Sequence, residues 1–175
     1  MATMFGPEHA ELLEHFRKKD GREAQREALR EVVRIHDQAF LDRLLAMNIG
    51  PEKALALRLV PLVFVAWADG APDEREREAV LRAAGEQGLA AERVSRDLLA
   101  GWLSKRPDPR LLEIWKSEVG RVWNRFTTDE QLKMRHNLLG TAREVAEAAG
   151  SFLGLTSGIS AAEKTVLSEL ERVIV

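Results

Sequence analysis

The sequence predicts an all-α protein, a helical bundle of about seven or eight helices. Apolar residues recur at helical spacing through most of the chain, and capping signals or Gly and Pro stops separate these stretches. No segment shows the sustained apolar–polar alternation of a strand. With 175 residues, of which 45% are hydrophobic and 31% charged, the chain is long enough to bury a sizeable core.

The first fifty residues predict an N-terminal helical extension. A first helix runs from Pro7 to Lys19, and the second, about Arg22 to Asn48, is the longest of the chain. At a rise of 1.5 Å per residue the second helix would be about 40 Å long, so it bends, breaks near His36-Asp37, or projects toward a partner. Gly50-Pro51 ends it. We therefore divide the chain into residues 1–50, the extension, and residues 51–175, the main helical domain.

The run from Ala54 to Ala68 is apolar at every position except Arg58. A membrane span needs about 20 apolar residues, so the run predicts a buried central helix and no transmembrane segment. Pro61 lacks an N–H and clashes with the preceding turn, which predicts a kinked or two-piece helix. Asp73 and Glu76 then form a capping box that starts the next helix.

The remaining helices are predicted from apolar residues at helical spacing and from the residues that cap or break each helix. Helices are predicted from Asp73 to Gly85, from Ala90 to Lys105, from Pro109 to Phe126, from a Thr128/Gln131 capping box onward, and from a Ser160/Glu163 capping box to the C-terminus. Leu81, Val94 and the four Trp residues are expected in the core. Between Gly150 and Gly158 the helical pattern fails, and Phe152, Leu153 and Leu155 either plug the core or form an exposed apolar contact.

One motif resembles the tellurite-resistance TerB-like family. The motif is Val65-Ala66-Trp67-Ala68-Asp69-Gly70, followed by Asp73 and Glu76, and the resemblance covers about Leu55 to Ile174. In that family the pattern occurs on two related helix pairs, and Ile159 to Glu163 matches the later part of the second copy. The resemblance implies a helical bundle and an acidic cluster, often suspected of binding metal, with an Asp from each copy. In this chain Ala149-Gly150 occupies the place of the second Asp-Gly.

The acidic turn after the apolar run is the candidate metal site. Its carboxylates could supply oxygen ligands to calcium or magnesium. The nominated ligands are Asp69, Glu74, Glu76 and Glu78. The alternative interpretation is structural, because Asp73 and Glu76 cap a helix and Glu74 favours its positive end. A paired site would also need a carboxylate from the second copy, for which Glu144 and Glu147 are the nearest candidates.

Composition narrows the function classes. The net charge of −2 makes no case for nucleic acid or an anionic membrane surface, and membrane contact through the 152–155 segment has little charge support. The absence of cysteine removes disulfides, thiolate zinc sites and thiol catalysis, and it fits a reducing, cytoplasmic compartment. The four His and the few Ser form no recognisable catalytic constellation, so no catalytic or cofactor-binding residue is nominated.

Two functions are consistent with these observations. The first is a non-enzymatic helical module that acts through protein–protein contacts or self-association, in the bacterial stress-response setting that the TerB-like resemblance implies. The second is a divalent-metal-binding module that uses the acidic turn. A carboxylate arriving from the second helix pair would favour the second function.

Overall fold

The computed structural model describes residues 21–33, 35–89, 93–150 and 158–174, and every regular element in these ranges is helical. The elements are α1 (21–33), α2 (Gln38–Ala46), a 3-10 helix (Pro51–Leu59), α3 (Val60–Ala66), α4 (Glu74–Glu86), α5 (Arg93–Ser104), α6 (Arg110–Trp123), α7 (Thr128–Gly150) and α8 (Ala161–Val173). The predicted all-α fold is thereby confirmed. The predicted helix at 7–19 and the apolar segment at 152–155 lie outside the described residues.

The long second helix of the sequence prediction is broken. Residues 35–37 belong to no regular element, and Asp37 caps α2, with its Oδ1 accepting from the backbone N–H of Phe40 at 3.0 Å. Asp is disfavoured inside a helix but favoured at its N-cap, where the side chain accepts from a free backbone N–H. This preference explains a break at Asp37. Of the three possibilities for this segment, the break near His36-Asp37 is confirmed.

The chain divides into two compact units at Ala54–Leu55. In the first unit, Arg26 of α1 forms an ion pair with Asp42 of α2 at 2.7 Å. Both helices contribute buried apolar side chains, which are Leu29, Phe40, Leu41 and Leu44.

The apolar run is a two-piece helix, as predicted. A 3-10 helix ends at Leu59, and α3 then starts with Pro61 in its first turn, where the missing N–H has no helical partner to lose. All seven residues of α3 are buried. Trp67 ends the helix, and its indole Nε1–H donates to the carbonyl oxygen of Trp102 in α5 at 2.8 Å.

Helix α3 is the centre of the second unit. It packs against α4, α5, α6, α7 and α8, which together enclose its apolar surface. Helix α4 packs on α7, and α8 packs on α6 and α7. This arrangement brings the start of α4 and the start of α8 to the same part of the unit, beside the end of α3. No helix within the described ranges is both long and apolar enough to cross a membrane.

The prediction that Leu81 and Val94 lie in the core is wrong. Leu81 of α4 and Val94 of α5 are 41% and 44% exposed. In α4 the side chains of Ala79, Val80 and Ala83 are buried, so the face that points away from them carries Leu81. Among the Trp residues only Trp123 is buried, and the other three are half-buried.

The capping box of α7 lies one residue before its predicted place. Thr127, and not Thr128, is the capping residue, because its N–H and Oγ1 donate to Glu130 Oε2 at 2.8 and 2.9 Å. Gln131 instead donates from its side chain to the carbonyl oxygen of Trp123. The sequence offers two overlapping Thr-x-x-Glu/Gln patterns, and the end of α6 selects between them.

Candidate metal centre

The turn between α3 and α4 places the first carboxylate. Asp69 follows the end of α3 directly, and Gly70 has a φ of +149°, a backbone conformation that a side chain would disfavour. Asp69 is exposed. Its position is fixed by the buried helix on one side and the cap of α4 on the other.

Two complete capping boxes place the other two carboxylates. At the start of α4, Glu76 Oε2 accepts from the backbone N–H of Asp73 at 2.8 Å, and Asp73 Oδ1 accepts from the N–H of Glu76 at 2.9 Å. At the start of α8, Glu163 Oε2 accepts from the N–H of Ser160 at 2.6 Å, and Ser160 Oγ accepts from the N–H of Glu163 at 3.2 Å. In each glutamate the cap uses only one of the two carboxylate oxygens.

The two capping glutamates meet Asp69. One oxygen atom from each of Asp69, Glu76 and Glu163 lies within 4.8 Å of the other two. The first two residues come from the α3–α4 corner, and Glu163 comes from the start of α8. Such a set of convergent oxygens is the ligand type that hard divalent cations take.

Both glutamates are almost completely buried, Glu76 at 2% exposed and Glu163 at 1%. The Oε1 atom of each is buried without a hydrogen-bond partner, although Oε2 is bonded to its cap. A buried carboxylate oxygen without a partner costs free energy, because water has been removed and nothing replaces it. A cation between these oxygens would supply the missing interaction.

The electrostatics of Glu76 agree with this arrangement. Burial raises the pKa of Glu76 to about 7; the backbone N–H of Asp73 opposes the rise, and the carboxylates of Asp73, Asp69 and Glu163 add to it. The three carboxylates that raise the pKa of Glu76 all have the same sign of charge as Glu76 itself. A cation placed among such carboxylates is stabilised by their negative potential.

The structure brings together two of the four nominated ligands. Asp69 and Glu76 belong to the cluster, whereas Glu74 and Glu78 are exposed on α4 and are not members of it. The third carboxylate of the cluster is Glu163, from the first turn of α8. Sequence reasoning recognised this residue only as a cap, although its place three residues after Ser160 repeats that of Glu76 after Asp73.

The alternative candidates for the second carboxylate are not at the cluster. Glu144 and Glu147 line a surface groove between α4 and α7, together with Arg82 and Glu86. They were the nearest candidates in the sequence for a paired site, but the third carboxylate of the cluster is Glu163. They lie on α7, whereas the helix that contributes a carboxylate to the α3–α4 corner is α8.

Fold and cluster together define an all-α protein with an all-carboxylate site between two helix starts. Comparison with protein-family models, with curated proteins and with solved structures found no match for this chain. The function is therefore argued from the site itself.

Proposed function

We propose that this protein binds a divalent cation through Asp69, Glu76 and Glu163. The single observation that carries the proposal is the pair of buried, unpartnered Oε1 atoms of Glu76 and Glu163, two residues whose carboxylates converge with that of Asp69. The capping boxes alone do not explain these atoms, since each cap is complete with Oε2. The proposal assigns binding and does not assign a reaction.

The ligand chemistry favours Mg²⁺, Ca²⁺ or Mn²⁺. All three proposed ligands are carboxylates, and the cluster contains no His. Soft or borderline metals prefer thiolate and imidazole ligands, and the chain has no Cys. Because Asp69 is exposed, water can complete the coordination shell on its side of the cluster.

Thermal unfolding and titration calorimetry of chelator-treated protein test the proposal. Binding to the folded state alone stabilises it by about 2.7 kcal/mol at a free cation concentration one hundred times the dissociation constant. We expect such a rise for at least one of the three cations, and we expect Glu76→Gln and Glu163→Gln to abolish it. Asp69→Asn should weaken binding while changing the metal-free stability by less than about 0.5 kcal/mol, because the side chain is exposed.

Glu74→Gln and Glu78→Gln are the matched controls. They remove the same charge from the same helix as Glu76→Gln, but they lie outside the cluster. Both controls should keep the cation-induced rise. If the controls lost the cation-induced rise in stability as fully as Glu76→Gln, the rise would be due to general charge screening and not to a site. Absence of the rise in the wild type would overturn the proposal.

We propose as a second function that the protein acts through protein contacts, in the cytoplasmic stress-response setting that the TerB-like resemblance implies. The supporting observation is the first half of α7, where none of residues 128–138 is buried. This stretch carries Leu132 at 59% exposed and Met134 at 41%. Both apolar side chains are therefore accessible to a partner on this stretch of α7.

Molar mass measured by light scattering over a concentration series tests this second function in the form of self-association. The wild type should exceed the monomer mass at high concentration, and Leu132→Ser should shift the transition to higher concentration. Lys133→Ser, at the neighbouring exposed position, is the control. A monomer mass at every concentration would exclude self-association through this helix.

A further inference from the structure

We infer that the cation acts as a latch that holds the start of α8 on the α3–α4 corner, so that its occupancy controls how often α8 detaches. This inference rests on the proposed cation site. It adds a conformational consequence that binding alone does not require. Three observations on α8 support it.

The first observation is the origin of the ligands. Asp69 and Glu76 flank the turn between α3 and α4, and Glu163 lies in the first turn of α8. Each glutamate is fixed to its own helix start by a capping hydrogen bond, 2.8 Å for Glu76 and 2.6 Å for Glu163. A cation bound to both Oε1 atoms would therefore connect two helix starts, and not two mobile side chains.

The second observation is the small apolar anchor of α8. Within this helix only Glu163 and Leu170 are buried, and Ile174 follows just after its end. In α3, by contrast, every residue is buried. The only fully buried side chain in the first half of α8 is thus a carboxylate, and apolar burial holds mainly the second half.

The third observation is the position of the ion pairs. Lys116 bonds Glu169 at 2.7 Å, and Arg143 lies 3.6 Å from Glu171. Both pairs hold the second half of α8, against α6 and α7. At the first half, the groups nearest to Glu163 in the cluster are two further carboxylates. Without a cation, packing of this end places Glu163 beside two other acidic side chains, which is unfavourable. The first half of α8 is therefore the end that should open first.

Detachment of α8 would uncover part of α3, since α8 packs on that helix. The side chains of α3 are entirely apolar, VPLVFVA. Loss of the cation would thus convert a covered apolar surface into an accessible one. The same surface would be covered again when the cation returns.

Backbone hydrogen exchange, measured with calorimetry on the same samples, tests the latch. The probes are Mg²⁺ and, in separate samples, Ca²⁺. At a free cation concentration one hundred times the dissociation constant, amides whose opening breaks the site should exchange about 100-fold more slowly. We expect this slowing in the first half of α8. Amides of α5, a helix that contributes no ligand, should slow much less.

Two variants of α8 sharpen the result. Glu163→Gln keeps an oxygen that can accept from the Ser160 N–H but removes the charge, so metal-free exchange in α8 should be slower than in the wild type and insensitive to cation. Glu169→Gln breaks an ion pair outside the cluster and should keep the cation effect.

The outcomes separate the latch from the site. Cation binding without slower exchange in α8 would overturn the latch and leave the proposed binding function in place. Slowing of exchange by the cation that survives in Glu163→Gln would also overturn the latch. Absence of any binding by calorimetry would overturn both.

Discussion

The starts of α4 and α8 have the same local chemistry but different surroundings. The corner between α3 and α4 starts its second helix with Asp73 and Glu76, and the start of α8 uses Ser160 and Glu163 in the same two roles. The first corner also provides Asp69 and a second carboxylate at the cap, Asp73. The cluster is therefore asymmetric. One corner concentrates negative charge, and the other contributes a single buried carboxylate to it.

The two helix starts show how a capping motif can leave one carboxylate oxygen available for a second role. A capping box satisfies one oxygen of its glutamate and leaves the other oxygen available. At an exposed helix start that second oxygen would face water. Here the two capping glutamates are buried and their carboxylates converge, so a proton, a water molecule or a cation would have to satisfy the remaining oxygens.

The largest expected effect is the pH dependence of the metal-free protein. Folding raises the pKa of Glu76 from 4.5 to about 7, so the folded state holds this proton more tightly than the unfolded chain. The resulting stabilisation is present below pH 4.5 and is lost as pH rises through about 7. We expect the free energy of unfolding to fall by on the order of 2 kcal/mol over this range.

Denaturant unfolding at a series of pH values, in wild type and Glu76→Gln, measures this effect. The variant has no titrating group at this position. Its free energy of unfolding should therefore fall less as the pH rises, and the difference from the wild type is the contribution of Glu76. Identical pH profiles for the two proteins would show that Glu76 is not perturbed by the cluster. Because cation binding needs the deprotonated carboxylate, cation affinity should rise over the same range.

A smaller effect is expected from Gly70, which belongs only to the first corner. Gly70→Ala should destabilise the protein by roughly 1–2 kcal/mol, because the φ of +149° is strained for any other residue even where there is space for a Cβ. The same change should weaken cation binding by moving Asp69. Thermal unfolding and calorimetry measure the two quantities.

Gly85→Ala is the matched control for Gly70→Ala. Gly85 lies inside α4, also has open space for a Cβ, and does not have a positive φ. It should stabilise the protein by about 0.5–1 kcal/mol, since alanine favours helix. Opposite signs for the two variants are expected, and destabilisation of equal size would show that Gly70 is not under special backbone constraint.

The smallest effect is a difference between the two caps. Ser160→Ala should cost about 1 kcal/mol in metal-free protein, the usual value for a lost capping side chain. Asp73→Ala also loses a cap, but it removes one of the carboxylates that raise the pKa of Glu76, so its net cost near neutral pH should be lower. Chemical unfolding of both variants measures the difference. A cost for Asp73→Ala equal to or above that for Ser160→Ala would contradict this account of the first corner.

Features set by neighbours in sequence were predictable here, and features set by packing were not. The restart of the apolar run at Pro61 and the capping roles of Asp73 and Ser160 depend on local geometry, so sequence alone indicated them. The choice of Thr127 over Thr128 depends on the end of α6, and the exposure of Leu81 depends on which helices surround α4.

The candidate site shows the same division. Asp69 and Glu76 were nominated because they lie seven residues apart in one turn and helix start. Glu163 was missed because it is far away in sequence, and its approach to Glu76 results from α8 packing on α3. The repeated pattern of a capping residue and a glutamate three positions later was the signal that could have identified it.

The hydrogen bond from Trp67 to Trp102 gives this protein an optical consequence. The indole of Trp67 is held at 2.8 Å from a carbonyl oxygen of α5 and lies two residues before Asp69. An indole fixed beside the proposed cation site changes its fluorescence when the local charge changes, and it can transfer its excitation to a lanthanide bound there. The chain thus carries its own spectroscopic probe at the end of α3, and Trp67→Phe would distinguish that signal from the emission of the other three tryptophans.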